Sequence, residues 1–325
     1  MGAAYVQLPS LKGWDMKQEK KKKLTPAQYK QFIPLYIMMI PGLLYLLVNN
    51  YIPMTGIVVA FKKYNVNDGI YGSPWNGFKN FEYLLTSNDA FTIIRNTFLY
   101  NVAFIIVNNI VGIILAIMIC DVAHKSLKKL YQSSILLPFL VSIVVTSYIV
   151  FAFLSHENGM FNAFLTSHGQ EKIFWYNTPK YWPFILILVN CWKGVGYGTL
   201  IYIATVSGID GTFYEAAALD GANKWQQITN ITLPFLIPSV ITLLLMSIGR
   251  IFYSDFGLFY QIPQNSGTLF PVTNTIDTYV YRALISSGGI GRSSAAGVFQ
   301  SVVGFTLVCF SNWIVSRISP DNAIF

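Results

Sequence analysis

The stretch TFYEAAALDGANKWQQITNITLPFLIP, residues 212–238, is a polar, helix-forming insert between two apolar runs long enough to cross a bilayer. Thr212 and Glu215 have the spacing of a capping box, in which the Thr212 hydroxyl accepts from the Glu215 N–H and the Glu215 carboxylate from the Thr212 N–H. Ala216, Ala217, Ala218 and Leu219 are strong helix formers. Gly221 then falls where a left-handed residue ends a helix. A second helical run, 222–229, follows, and Pro234 lies near the first turn of the next apolar run, where its missing N–H costs nothing. The pattern predicts a short helix, a glycine corner, a second short helix and a return into the membrane. Helices this short cannot bury their apolar sides alone, so the segment calls for a docking partner.

The rest of the chain supplies that membrane. Its 325 residues are 54% hydrophobic and only 11% charged, less than half the charged share of roughly 25% in soluble domains. The net charge of +8 is concentrated toward the start, including four consecutive lysines at 20–23. That placement reads as a cytoplasmic anchor, and no basic-aromatic patch suited to nucleic acid appears. Cys120, Cys191 and Cys309 each lie in an apolar run, and His124, His156 and His168 show no metal-ligand spacing. The apolar run after the lysine-rich tail is too long for a cleaved signal, so the first span is expected to stay in the membrane.

Gaps between charges predict six spans: about 32–51, within 96–120, within 130–155, about 182–206 with Lys193 inside it, about 234–248, and within 293–316. The runs are continuous, unlike the short alternating segments of a membrane barrel, so the fold class is all-α and polytopic. The basic tail and the loop holding Lys125, Lys128 and Lys129 are expected in the cytoplasm, with both termini there. Residues 62–89 and 255–292 then face outward. The expected organisation is a basic cytoplasmic tail 1–30, a transmembrane domain 31–318 with its cytoplasmic loop at 207–233, and a C-terminal cytoplasmic tail 319–325.

Within the insert, Glu215-Ala216-Ala217, then Gly221, then Ile231, then Leu233-Pro234 closely resembles the EAA loop of ABC importer permeases. NYIPMTGIVVAFKKYN (50–65), FKNFEYLL (78–85) and RNTFLYN (95–101) look like carbohydrate-importer permeases of the maltose type. NCWKGVGYGTLIYIATVSGID (190–210) and DTYVYRALI (277–285) look closer to a branch handling complex oligosaccharides and polysaccharides, including uronic-acid polymers of the aldouronate and alginate kind. One departure is Asp210-Gly211-Thr212, where many relatives place a proline before the EAA helix.

The resemblance implies a type I importer permease fold in a bacterial inner membrane. Glu215, Ala216, Ala217, Asp220, Gly221, Ala222, Ile231, Leu233 and Pro234 would form the coupling surface for an ATP-binding subunit. It also implies a second six-span permease as heterodimer partner, a dimer of ATP-binding subunits and an extracytoplasmic solute-binding protein. ATP and Mg would be bound by the ATPase partners. This chain has no phosphate-binding loop, since the glycine-rich 288–294 lacks the order G-x-x-x-x-G-K-[ST], and it shows no catalytic motif. It is therefore expected to be a transport subunit and not an enzyme.

Polar residues inside spans are costly and default to functional candidates. These are Asn108 and Asn109 in span two, Asn190 and Lys193 with Trp192 beside them in span four, and Arg250 near the outer end of span five. A sugar path wants amides and aromatic faces, and Lys193 is a candidate to meet a sugar carboxylate. The competing reading has the amides bridging helices and Arg250 snorkelling to the interface. An ion-gradient-driven secondary transporter is the alternative function, disfavoured by the lack of an evident repeat and of acidic residues in the spans. A purely structural subunit is disfavoured by the EAA loop.

Overall fold

The computed structural model describes residues 26–86, 88–285, 289–318, 320 and 323. Most of both expected cytoplasmic tails, including the lysines at 20–23, lies outside the described residues. Within them the chain is helical, with one isolated antiparallel bridge between Lys62 and Trp75. Five helical stretches are long and apolar enough to cross a membrane, or six if a bent pair counts as one span. The chain divides into two compact units between Gly56 and Ile57.

The first unit contains α1 (Pro26–Leu46), a wide π-type turn at Leu47–Tyr51 and a last turn at Ile52–Met54. Pro53 follows the wide turn. A proline ring clashes with the carbonyl four residues back, here Asn49, and the widened turn opens that position.

The second unit is organised around two long helices, α2 (Asn88–Cys120) and α5 (Trp182–Ser207). At 1.5 Å per residue the 33 residues of α2 run about 50 Å, well beyond a hydrocarbon thickness of about 30 Å. Span three is not one helix, as the sequence had suggested. It consists of α3 (Lys125–Leu140) and α4 (Ile143–Leu154), bent by 94°. Val141 and Ser142 turn extended at the break, and the Ser142 hydroxyl caps α4 by accepting from Val145 N at 3.3 Å. Above the bend, α3 lies hard against α5. A β-carbon on Gly196 would fall 2.1 Å from the Ile135 carbonyl oxygen, so only glycine permits this approach.

The fifth span also differs from expectation. Instead of starting near Pro234, it is helical from Lys224 to Ile248. Its first turn, α6 (Lys224–Gln227), passes through a second π-type turn, Ile228–Thr232, into α7 (Leu233–Ile248). Pro234 therefore lies inside a helical run. The widened turn makes room for its ring, as at Pro53. The last span is α8 (Ile290–Ile318).

Among the described residues, three buried clusters hold the helices of the second unit together. One joins Tyr100 and Phe104 of α2 to Trp182 and Leu186 of α5 and to Phe259. A second gathers Ile93, Ile251, Ile276, Ala295 and Ala296. The third packs Ala116 and Ile119 against Tyr202, Ile203 and Leu236 at the other end of α2. Polar side chains pin the connecting loops. Asn80 donates to the carbonyls of Ala60 and Lys62, both at 2.9 Å. Asn96 donates to those of Pro271 and Asn274, at 3.0 and 3.1 Å. The Asp277 carboxylate accepts from Ser254 N at 2.6 Å, Ser254 Oγ at 2.7 Å and Gln300 Nε2 at 3.1 Å.

Candidate functional site

Between the first and third clusters, α2 turns a polar stripe toward α5 and the end of α7. Asn101, Phe104, Ile105, Asn108 and Asn109 share one helical face at spacings of three, four, seven and eight. They border a cleft of about 540 Å³ whose other walls include Asn190, Arg250, Tyr253 and Asp255. Asn108 Nδ2 donates to Asn190 Oδ1 at 2.9 Å, joining α2 to α5, while Asn108 Oδ1 is buried without a partner among the described residues. Asn109 donates to the Ile105 carbonyl at 2.6 Å and accepts from the Tyr202 hydroxyl. Asn101 donates to Thr97 O at 2.8 Å and Tyr253 O at 2.9 Å. Asp255 is occupied as a helix cap, accepting from Leu258 N at 3.1 Å. Arg250 is exposed, and its guanidinium makes no hydrogen bond or ion pair among the described residues.

The structure thus brings four of the six candidate path residues together: Asn108, Asn109, Asn190 and Arg250. Trp192 and Lys193 do not line this cleft. The Lys193 ammonium lies over the broken end of α3, donating to the carbonyls of Phe139 at 3.4 Å, Pro138 at 3.5 Å and, more closely, Val141. A helix C-terminus leaves carbonyls unpaired and partially negative, so a cation there both satisfies and neutralises them.

The insert at 207–233 forms a braced corner. Its first helix, Gly211–Leu219, is capped differently from the expected Thr212–Glu215 box. Asp210 is the N-cap, and its carboxylate accepts from Thr212 N at 3.0 Å. Thr212 is already inside the helix, where its hydroxyl cannot serve as the cap. The backbone N–H and then the hydroxyl of Thr212 hold the Asp210 carboxyl below its usual range. A reciprocal capping box does form at the next helix, where Asn223 Oδ1 accepts from Gln226 N at 2.9 Å and Gln226 Oε1 from Asn223 N at 2.8 Å.

Gly221 has φ of +80°, the left-handed value expected from the sequence. Gly221 N reaches Ala218 O at 3.1 Å and Ala222 N reaches Ala217 O at 2.9 Å, the paired bonds of a Schellman motif. Tyr214 Oη and Thr232 Oγ1 close the corner at 2.9 Å, and Lys224 ties it to Asp121 at the end of α2 at 2.7 Å. Glu215, Ala216, Asp220, Gly221 and Pro234 are exposed, while Ala217, Ala222, Ile231 and Leu233 are half-buried. Leu219 is 90% and Trp225 71% exposed, leaving two large apolar side chains uncovered at the corner.

Residues 108–320 match the family described as the binding-protein-dependent transport system inner membrane component. The chain belongs to this family. Over 322 residues, 99% of each chain, it is 33% identical to the polygalacturonan/rhamnogalacturonan transport system permease protein YteP of Bacillus subtilis (strain 168). It is also similar to a chain in a crystal structure of a bacterial ABC transporter involved in the import of the acidic polysaccharide alginate. That match has a TM-score of 0.81 and 32% identity, covering 90% of this chain and 98% of the other. A second structure, of a bacterial alginate ABC transporter with an alginate pentasaccharide-bound periplasmic protein, gives a TM-score of 0.81 and 31% identity over 90% and 97%.

The permease is accordingly an all-α, multi-pass membrane subunit of an ABC importer and not itself an enzyme. This sets aside the ion-gradient alternative. Reading the permease by intramembrane polar residues alone missed Asn101, Tyr253 and Asp255. The signal for Asn101 was its place on the same helical stripe as Asn108. Nothing local marks Tyr253 and Asp255, which reach the cleft only through the turn after α7.

Proposed function

We propose that this permease forms half of the path by which an acidic oligo- or polysaccharide, handed over by a solute-binding protein, crosses a bacterial inner membrane. The observation that carries the substrate class is Arg250, a cation without a partner among the described residues, in a cleft rich in amides whose one carboxylate, Asp255, is taken up as a helix cap. A guanidinium takes a carboxylate through two parallel hydrogen bonds, as a uronic-acid unit would require. Asn101, Asn108 and Asn190 would address the sugar hydroxyls, and the orphan Asn108 Oδ1 offers an acceptor. Relatives that carry polygalacturonan and alginate add support, since both are carboxylated polymers.

The lysines at 125, 128 and 129 favour a topology with both termini and the Gly221 corner in the cytoplasm. The uncovered Leu219 and Trp225 then favour a protein partner at that corner, which we assign to one of two ATP-binding subunits. Glu215, Ala216, Asp220 and Gly221 would face it, with ATP and Mg held by those subunits. A different six-span permease would supply the other half of the path.

The test is ATP-driven uptake by the reconstituted complex over a panel of galacturonate, alginate and neutral oligosaccharides. Equal uptake of neutral and acidic sugars would refute the substrate class. Full activity with this chain as a homodimer would refute the assembly.

A further inference from the structure

At the end of α5 opposite the cytoplasmic corner, two loops enclose another cavity, of about 630 Å³. We propose that it is a saccharide subsite, holding a trailing unit of an oligosaccharide chain whose leading unit sits in the Arg250 cleft. The proposal rests on the sugar-import reading above.

The cavity walls are pinned in place. Asn162, fully buried, donates to His156 O at 3.1 Å and Ile173 O at 2.9 Å, and accepts from Ile173 N at 3.0 Å and Trp175 Nε1 at 3.2 Å. One side chain thereby fixes both arms of the loop joining α4 to α5. Ser266 and Thr268 hydroxyls donate to Tyr176 O at 3.1 and 3.0 Å, latching the opposite wall to the first. In that wall Gln264 and Asn265 adopt φ of 54° and 48°, a left-handed pair without glycine. Local strain of this kind collects at binding sites.

The lining has the chemistry of sugar recognition. Aromatic rings of Phe151, Phe174 and Trp175 alternate with the side-chain amides of Asn158, Asn177 and Gln264, which carry no hydrogen bond to the described protein. A pyranose offers an apolar C–H face for the rings and hydroxyls for the amides. Phe174 is 56% exposed, with His156 stacked beside it at 3.5 Å and 14°. Glu157 also lines the cavity, where its carboxylate would accept from sugar hydroxyls. A belt of rings at the membrane surface explains the aromatics but not the free amides or the pinned concavity.

The two cavities are neighbours along the chain. Asp255, in the cleft, caps the helix Phe256–Gln261, and Gln264 lies just past the other end of that helix. Six residues span about 9 Å. A sugar chain held at both points gains from the high effective concentration of its second unit, whereas a short sugar gains nothing.

The experiment compares uptake of a disaccharide and a hexasaccharide of galacturonate by the importer complex in proteoliposomes with its solute-binding protein. If only neutral sugars are carried, maltose and maltohexaose replace them. Phe174→Ala and Asn177→Ala should lower hexasaccharide uptake about three- to tenfold more than disaccharide uptake, the scale of one aromatic or amide contact. Phe164→Ala, an exposed ring of the same loop outside the cavity, should leave the ratio unchanged. Equal losses at both lengths, a matching loss in Phe164→Ala, or weaker docking of sugar-free binding protein would each overturn the subsite. A wild-type complex that carries no saccharide would overturn the import reading, and the subsite with it.

Discussion

The Lys193 ammonium of α5 donates to the carbonyl of Val141, the residue at which span three breaks. This contact ties one span to the exposed end of another, whose last carbonyls have no donors within their own helix. Lys193→Met should take the charged donor from the Phe139 and Val141 carbonyls, at about 1.5–3 kcal/mol for a hydrogen bond to a charged group. Uptake of acidic and neutral sugars should then fall alike, and the purified complex should melt earlier. Lys193→Arg should restore most of both. A loss confined to acidic sugars would return Lys193 to the substrate path.

Arg250 should behave in the opposite way. Arg250→Gln keeps polarity but shortens the side chain and removes the charge, so uptake of uronic-acid oligomers should drop about tenfold or more, the scale of one charge-assisted hydrogen bond. Neutral sugars and thermal stability should be nearly unaffected. Equal losses for both sugars would mean that Arg250 serves packing.

At the corner, a β-carbon on Gly221 would meet nothing within 4 Å in this chain, so the chain itself objects only to the backbone conformation. Gly221→Asn tolerates a left-handed φ better than most residues, so it tests bulk more than strain. Both Gly221→Asn and Gly221→Asp should reach the membrane in normal amounts. Both should uncouple ATP hydrolysis from uptake, with the aspartate worse because its charge must be desolvated. Normal coupled transport in both would reduce the corner to a connector.

The Lys224–Asp121 pair looks important on paper and should matter little. Its side chains are 74% and 64% exposed, and exposed pairs contribute about 0–1 kcal/mol. Lys224→Ala should shift the melting temperature slightly, with the shift vanishing in high salt. A large, salt-independent loss would show that the pair is shielded in the assembled importer.

Sidedness can be read by labelling. In a background lacking Cys120, Cys191 and Cys309, an impermeant maleimide should modify Asn67→Cys in intact cells but Ala222→Cys only after permeabilisation. The reverse pattern would invert the topology and move the aromatic cavity to the cytoplasm.

The helical spans and the glycine corner were legible because each depends on local chemistry: runs of apolar residues, and a backbone site that only glycine fits comfortably. The corner's caps were misassigned by two residues, because Asp210 and Thr212 both suit an N-cap and sequence alone does not decide between them. The break in span three was invisible because Pro138 lies inside α3 while the chain turns only at Val141. Its stabilising partner, Lys193, comes from another helix. The cleft was half legible. Its amides stood out against apolar neighbours, but their convergence with Asp255 and Tyr253 is a product of tertiary packing.

The helical run from Lys224 to Ile248 makes the permease a lever. Its 25 residues measure about 37 Å, with the Gly221 corner at one end and Arg250 two residues past the other. A tilt of about 6° at the wide turn, about 27 Å from Ile248, carries the far end about 3 Å. That is enough to break or make a guanidinium–carboxylate contact, whose span is about 2.8 Å. On the coupling proposed above, a small push at Gly221 would arrive at the cleft as a choice between gripping and releasing.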